Sequence, residues 1–275
     1  MVSVLHAGPL RAGFLFDDPG IENIFSIRYS SHITHTADTD ILITVSSDHS
    51  LKPGYSTDIL SEESEQGIKI TSKAIDFSFS SSNMKGNLAV SGDKDQQVDS
   101  LENALRVVFQ WFAFSQGCLL MHAACAGKEG KCILFPASEG GGKTTLALLC
   151  EEQGALVYGD DLVLISISSE QDTPPCVYGV PFRGEQEFRP VPEKPGTLTE
   201  VLFIEKGKGC DISTLENAEA VARLVGNIPY IRSASQNTFN SLMVTAERII
   251  RPGAGVFVYD LESDPACLIL NRLGF

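Results

Sequence analysis

The chain has 275 residues, enough for one large domain or two modest ones, and 43% of them are hydrophobic, which excludes a wholly disordered chain. A formal net charge of −14 lacks the basic footprint of a nucleic-acid-binding protein and sets up a repulsive field toward any anionic ligand. No apolar run approaches the roughly 20 residues of a membrane-crossing helix. The opening stretch MVSVLHAGPLRAGFLF has no basic region followed by a continuous apolar core, so no signal peptide is expected and the reading is a cytoplasmic protein with no membrane partner.

In chain order, residues 1–97 read as β-rich. Strand-like runs occur at IFSIRYS (24–30), DILITVSS (40–47), GIKITS (67–72), AIDFSFS (74–80) and NLAVSG (87–92), with turn residues between them. SEESEQG (61–67) and SGDKDQQ (91–97) read as exposed loops. From Asp99 the period changes. Asp99 and Glu102 can form a capping box, Leu101, Leu105, Val108 and Phe112 share one helical face, and Gly117 can stop the helix. Strands on either side of Gly127–Gly130 predict a hairpin. A glycine loop, a helix from about Thr144 and a long strand ALVYGDDLVLISIS follow. Residues 174–200 read as loop and LTEVLFIEKG (198–207) as a strand. A helix capped by Ser213 and Glu216 is expected to end near Gly226, a second helix spans 236–250, and GVFVYDL and ACLILN are expected as closing strands. The fold expectation is a mixed-sheet α/β chain, with a β-rich region at 1–97 and a nucleotide-binding domain at 98–275.

Ala137-Ser138-Glu139-Gly140-Gly141-Gly142-Lys143-Thr144 has the spacing of a phosphate-binding loop, with alanine at the first glycine position. Glycines let successive N–H groups face phosphate oxygens, and the helix that follows offers unpaired N–H groups and a partial positive charge. Ser138 to Thr145 are therefore the nucleotide-binding candidates, with Lys143 reaching the β and γ phosphates and Thr144 ligating magnesium. The bland alternative is a flexible glycine turn before a lysine. Glu139 must point away from the phosphates, and the site must be locally positive.

Asp160 and Asp161 follow closely. One carboxylate could hold the metal, assigned with Thr144 to Asp161, while the other accepts a proton from an attacking hydroxyl. Neighbours on a strand point to opposite faces, so both can act only if Gly159 introduces a bulge; the alternative is an exposed turn. His122 interrupts an apolar strand, and its bland reading is a core histidine bonded to a backbone carbonyl. Arg183, Glu185 and Arg189 in PFRGEQEFRP are candidate phosphate or substrate contacts, with ordinary surface arginines as the alternative. The seven cysteines include no CxxC pair and read as reduced thiols.

The run from His122 to Ser166 (strand, histidine, glycine loop, helix, paired aspartates) resembles the catalytic domain of bacterial HPr serine kinase/phosphorylase, which is related in fold to ATP-dependent phosphoenolpyruvate carboxykinase. The nearest subgroup is the HPr-kinase-like proteins of modification gene clusters. The resemblance implies ATP and Mg2+ as cofactors, with Gly140, Gly142, Lys143 and Thr144 in the nucleotide loop. It also implies proton transfer and metal binding by Asp160 and Asp161, and a place for His122 near the catalytic aspartate. The expected activity is γ-phosphate transfer to a serine hydroxyl of a protein or small molecule, with homo-oligomers as an option. The chain departs from the pattern at Ala137 and Glu139 and lacks the signature of an arginine-glycine followed by an apolar residue and another glycine after the aspartates, as well as the basic C-terminal segment, so HPr is not the expected substrate. A nucleotide-binding scaffold without catalysis is the alternative.

Overall fold

A computed structural model describes residues 2–36, 38–53, 59–170, 172–182, 192–229 and 236–274. The chain is mixed α/β and forms two compact units. The first runs to Phe112, and the second holds Ala113–Pro229 and the chain from Asn237 onward.

The first unit contains strands β1 (Ser3–Ala7) and β2 (Leu10–Phe16), helix α1 (Pro19–Arg28), strands β3 (Ile33–Thr34), β4 (Ile41–Asp48), β5 (Leu60–Ser64), β6 (Gly67–Thr71), β7 (Ile75–Ser80) and β8 (Lys85–Ser91), and helix α2 (Gln97–Ser115), which ends just beyond it. Its sheet has eight strands in the order β3-β1-β2-β4-β8-β7-β6-β5, with parallel pairings at β2–β4 and β4–β8 and antiparallel pairings elsewhere. The register puts Phe14, Ile43, Val45, Leu88 and Phe77 on one buried face, while Thr44, Asn87 and Ser78 alternate to the other. Helices cover the buried face. Phe25 of α1 meets Phe14 with ring centroids 5.0 Å apart, and Trp111 of α2 meets Phe79 at 4.6 Å.

Several expectations change here. IFSIRYS is the end of α1 and its cap region, not a strand, because Asp18 accepts the Gly20 N–H as N-cap and Pro19 starts the helix. SEESEQG carries edge strand β5, whose pairing with β6 gives its exposed acidic residues a ladder that no apolar alternation advertises. Helix α2 begins at Gln97, so Asp99 lies in its first turn and does not cap it with Glu102. Instead Glu102 is buried between Arg28 and Arg106. The expected apolar face of α2 is buried throughout.

The second unit contains β9 (Cys118–Lys128), β10 (Lys131–Pro136), α3 (Lys143–Glu152), β11 (Leu156–Gly159), β12 (Leu162–Ser166), β13 (Cys176–Gly179), β14 (Gly196–Lys206), β15 (Cys210–Thr214), α4 (Asn217–Val225), α5 (Gln236–Ile250), β16 (Ala254–Tyr259) and α6 (Pro265–Arg272). β10, β14 and β16 are mutually parallel, and β9 runs antiparallel to β10. The pairings β9–β12, β12–β13, β13–β14, β14–β10 and β10–β9 close a ring. Leu146, Ala147 and Cys150 of α3 and Ala266, Ile269 and Leu270 of α6 share one core with Phe135, Leu202 and Phe257 of the sheet.

The 118–136 hairpin closes through Glu129 and Gly130, both with positive φ (51° and 80°), the signature of a two-residue turn. The stretch expected as one long strand is two, β11 and β12, interrupted at Asp160–Asp161. β13 arises inside the stretch expected as loop. Ser213 belongs to β15, and Glu216 holds the N-cap position of α4 without a side-chain cap. ACLILN lies in helix α6, not a strand, because Asp264 accepts the Cys267 N–H at 3.0 Å and Pro265 opens the helix. All seven cysteines are free thiols, and burial pushes Cys150 up to about 12.

Candidate functional site

β10, β14 and β16 run the same way, so their C-terminal ends Pro136, Lys206 and Tyr259 lie along one edge of the sheet, where α/β folds gather ligands. β9 is antiparallel and pairs Ala123 with Pro136, which brings His122 to the same edge. Leu162 pairs with His122, placing Asp161 beside it. Across the edge the order is Asp161, His122, the glycine loop that follows β10, Lys206 and Tyr259.

The loop turns on glycine. Gly140 has φ 70° and Gly142 φ 98°, values that side chains rarely adopt, and Gly142 is the N-cap of α3. A Cβ at Gly142 would stand 2.6 Å from the Tyr259 hydroxyl. That hydroxyl donates to the Gly142 carbonyl at 3.0 Å. Inside the loop, the Gly141 N–H donates to the Ser138 carbonyl at 3.0 Å. Lys143 is buried, and its Nζ donates to the carbonyls of Ala137 at 2.9 Å and Ser138 at 3.0 Å. The first-turn N–H groups of α3 have no intrahelical acceptor and carry the positive end of the helix dipole.

A cavity of about 480 Å3 opens over this edge, lined by Glu139 to Thr145 of the loop, by His122 and Asp161, and by Lys206, Gly207, Tyr259, Asp260 and Leu261. Ser138 takes part through its backbone. The ladder between β11 and β9 slips between Val157 and Gly159, a bulge ahead of the aspartates. It does not bring both into the cavity. Asp161 lines the wall with its Oδ1 against His122 Nε2, while Asp160 is buried at 6% exposure and its Oδ2 has no hydrogen-bond partner. His122 is therefore bonded through its ring to a carboxylate, not to a backbone carbonyl, and its main-chain N–H donates to the Asn227 carbonyl beyond α4 at 3.0 Å.

Side chains alone do not make this cavity positive. Lys143 and Lys206 face Glu139, Asp161 and Asp260, and Glu139 lines the wall where it was expected to point away. Positive potential at this edge comes from the loop amides and the start of α3. The Thr144 hydroxyl and the Asp161 carboxylate are hard oxygen donors of the kind magnesium takes. Among the described residues no three His, Cys, Asp or Glu converge. Magnesium held partly by a nucleotide's phosphates needs no such cluster. Arg183, Glu185 and Arg189 lie outside the described residues.

The sequence reading missed Lys206, Gly207, Tyr259, Asp260 and Leu261. Both strands carrying them were expected, but their neighbours were not, and the rule that ligands gather at parallel strand ends works only once strand order is known. Asp260 is a loop-building residue. It accepts from Gly209 N–H at 2.7 Å, Glu262 N–H at 3.1 Å, and Ser263 N–H and hydroxyl at 2.9 and 2.7 Å. The Ser263 hydroxyl above all, then these N–H donors, hold its carboxyl below the usual carboxylate range.

Comparison with curated proteins returns no match. A family model described as SynChlorMet cassette protein ScmC matches residues 86–257, a span that takes in the glycine loop, His122, both aspartates and Lys206. With more than half of its length matched, the chain belongs to the family of SynChlorMet cassette protein ScmC.

Proposed function

We propose that this chain is a magnesium-ATP-dependent kinase with an HPr-kinase-like phosphate-loop domain, transferring the γ-phosphate to a hydroxyl, of a serine side chain or a small molecule, other than that of HPr. The observation that carries this reading is the convergence on one cavity of the Gly140–Thr145 loop with the His122–Asp161 pair. A loop that binds phosphate and a carboxylate paired with an imidazole are the two parts that phosphoryl transfer to a hydroxyl requires.

Phosphate oxygens compete with the Ala137 and Ser138 carbonyls for the Lys143 ammonium, and the bond with charge on both partners is the stronger. Loop amides and the first turn of α3 meet the remaining oxygens. Thr144 and Asp161 would hold magnesium, which when bound would offset charge developing on the transferred group. The acceptor oxygen forms its bond to the γ-phosphorus as the bond to the bridging oxygen breaks. ADP leaves with the electron pair, and the hydroxyl proton passes to the His122–Asp161 pair. Histidine beside the carboxylate both orients it and shares the proton.

A second reading, a nucleotide-binding scaffold, draws on Glu139 in the cavity wall. Calorimetric titration of MgATP into the wild type and Lys143→Ala, followed by ADP release assays on wild type and Asp161→Asn, separates the two. Saturable binding that Lys143→Ala removes, with ADP release that Asp161→Asn removes, supports the kinase. Binding without turnover in the presence of hydroxyl acceptors favours the scaffold, and no binding to the wild type overturns both.

A further inference from the structure

The cavity has two unlike flanks. On one side of the glycine loop stand His122 and Asp161. On the other, one strand away, stands Lys206 at the end of β14, with Gly207 after it and Leu261 beyond β16. Lys206 is exposed, and its ammonium has no hydrogen-bond or ion-pair partner among the described residues, whereas the Lys143 ammonium is held by loop carbonyls. Leu261 is 71% exposed, a large apolar side chain at the rim of a polar cavity.

This flank is built, not loose. Gly207 N–H donates to the Tyr259 carbonyl at 3.3 Å, Asp260 N–H donates to the Gly209 carbonyl at 3.0 Å, and Gly209 N–H returns to the Asp260 carboxylate at 2.7 Å. Side chains are excluded from Gly207, where a Cβ would meet Val258 at 2.3 Å. The turn carrying Lys206 is thereby fixed to the strand whose Tyr259 fixes the loop.

We propose, resting on the nucleotide reading above, that the nucleotide lies across the loop in one direction. Its terminal phosphate faces His122–Asp161, Lys206 binds the phosphates on the nucleoside side, and Leu261 packs against the nucleoside. A chain of phosphates over the loop would span both flanks; the His122–Asp161 flank offers a base to the acceptor's proton, while the Asp260 carboxylate on the other is occupied by donors from Gly209, Glu262 and Ser263. That leaves the Lys206–Leu261 flank for the end that does not react. A planar base gains most from an apolar platform, and an inner phosphate gains most from a partnerless ammonium.

The test is titration of MgATP, MgADP and adenosine into wild type, Lys206→Ala, Lys206→Arg, Leu261→Asp and Lys143→Ala. Lys206→Ala should weaken ATP and ADP by the same factor, about tenfold as for a lost charge-assisted bond, and leave adenosine unchanged. Lys206→Arg should restore most of the loss, and Leu261→Asp should weaken all three ligands. Melting temperatures of the Lys206 variants should equal the wild type's, since the side chain is exposed and its ammonium holds no bond among the described residues. A loss confined to ATP would place Lys206 at the transferred phosphate and overturn the direction. Unchanged affinities in Lys206→Ala, with binding abolished in Lys143→Ala, would overturn this assignment alone. A wild type that binds no nucleotide would remove the nucleotide reading and this inference together.

Discussion

The Tyr259 hydroxyl reaches from the last residue of β16 to the Gly142 carbonyl, 3.0 Å away, and so joins the end of one parallel strand to the N-cap of α3. The ring stacks on Phe257 at 5.3 Å between centroids, which leaves the hydroxyl little freedom to point elsewhere. Tyr259→Phe keeps the packing and removes the bond. We expect a loss of about 1 kcal/mol in stability and a several-fold weaker MgATP affinity, read by denaturant unfolding and calorimetry. An unchanged affinity would mean that the loop keeps its shape without this tie.

Gly142 and Gly140 should respond differently to alanine. Both have positive φ, but a Cβ at Gly140 meets open space while one at Gly142 collides with the Tyr259 hydroxyl. Gly140→Ala carries only left-handed strain, about 1 kcal/mol. Gly142→Ala adds the clash and should abolish nucleotide binding. Parallel thermal melts and MgATP titrations of the two variants check this ordering.

Asp160 and Asp161 should separate in mutagenesis. Asp160 is buried with one oxygen lacking a hydrogen-bond partner, so Asp160→Asn gives up no bond at that atom and should leave stability equal or higher. Asp161→Asn removes the partner of His122 on the cavity wall and should cost ADP release far more than it costs folding. Equal losses of stability in both variants would contradict the split.

Glu102 is 2% exposed on its side chain and bridges Arg28 and Arg106, the latter at 2.7 Å. Glu102→Ala leaves two guanidinium groups facing each other in a desolvated place, and the expected cost is about 3–5 kcal/mol. Chemical denaturation measures it directly.

Asp260 gives a pH signature. Its donors hold the folded carboxyl below the ordinary value of 3.8. A depressed folded pKa contributes stability that is fully present above the unfolded pKa and is lost as pH falls through the folded one. Wild type should therefore lose stability below about pH 4 more steeply than Asp260→Asn, in acid titrations followed by near-ultraviolet circular dichroism.

Where local chemistry decides the outcome, the sequence was enough. The apolar period of α2, the α5 boundaries at 236–250, the hairpin before β10 and the strand–glycine loop–helix unit all follow from side-chain period and backbone permissiveness over a few neighbours. Local signals were also present where the reading went wrong: Asp18-Pro19 and Asp264-Pro265 each start a helix that apolar composition had disguised as a strand.

What only the tertiary structure decided is which strand ends meet. β10, β14 and β16 are far apart in the chain, and nothing within any one of them states that it lies beside the others; pairing between distant strands fixed that order. Once fixed, it brought Lys206 and the Tyr259–Leu261 segment to the loop, set His122 against Asp161 and turned Asp160 into the interior. The sequence by itself determined the loop's backbone, because φ and local hydrogen bonding are properties of adjacent residues. The walls of the cavity belong to the sheet, because their proximity comes from burying apolar faces across long stretches of chain.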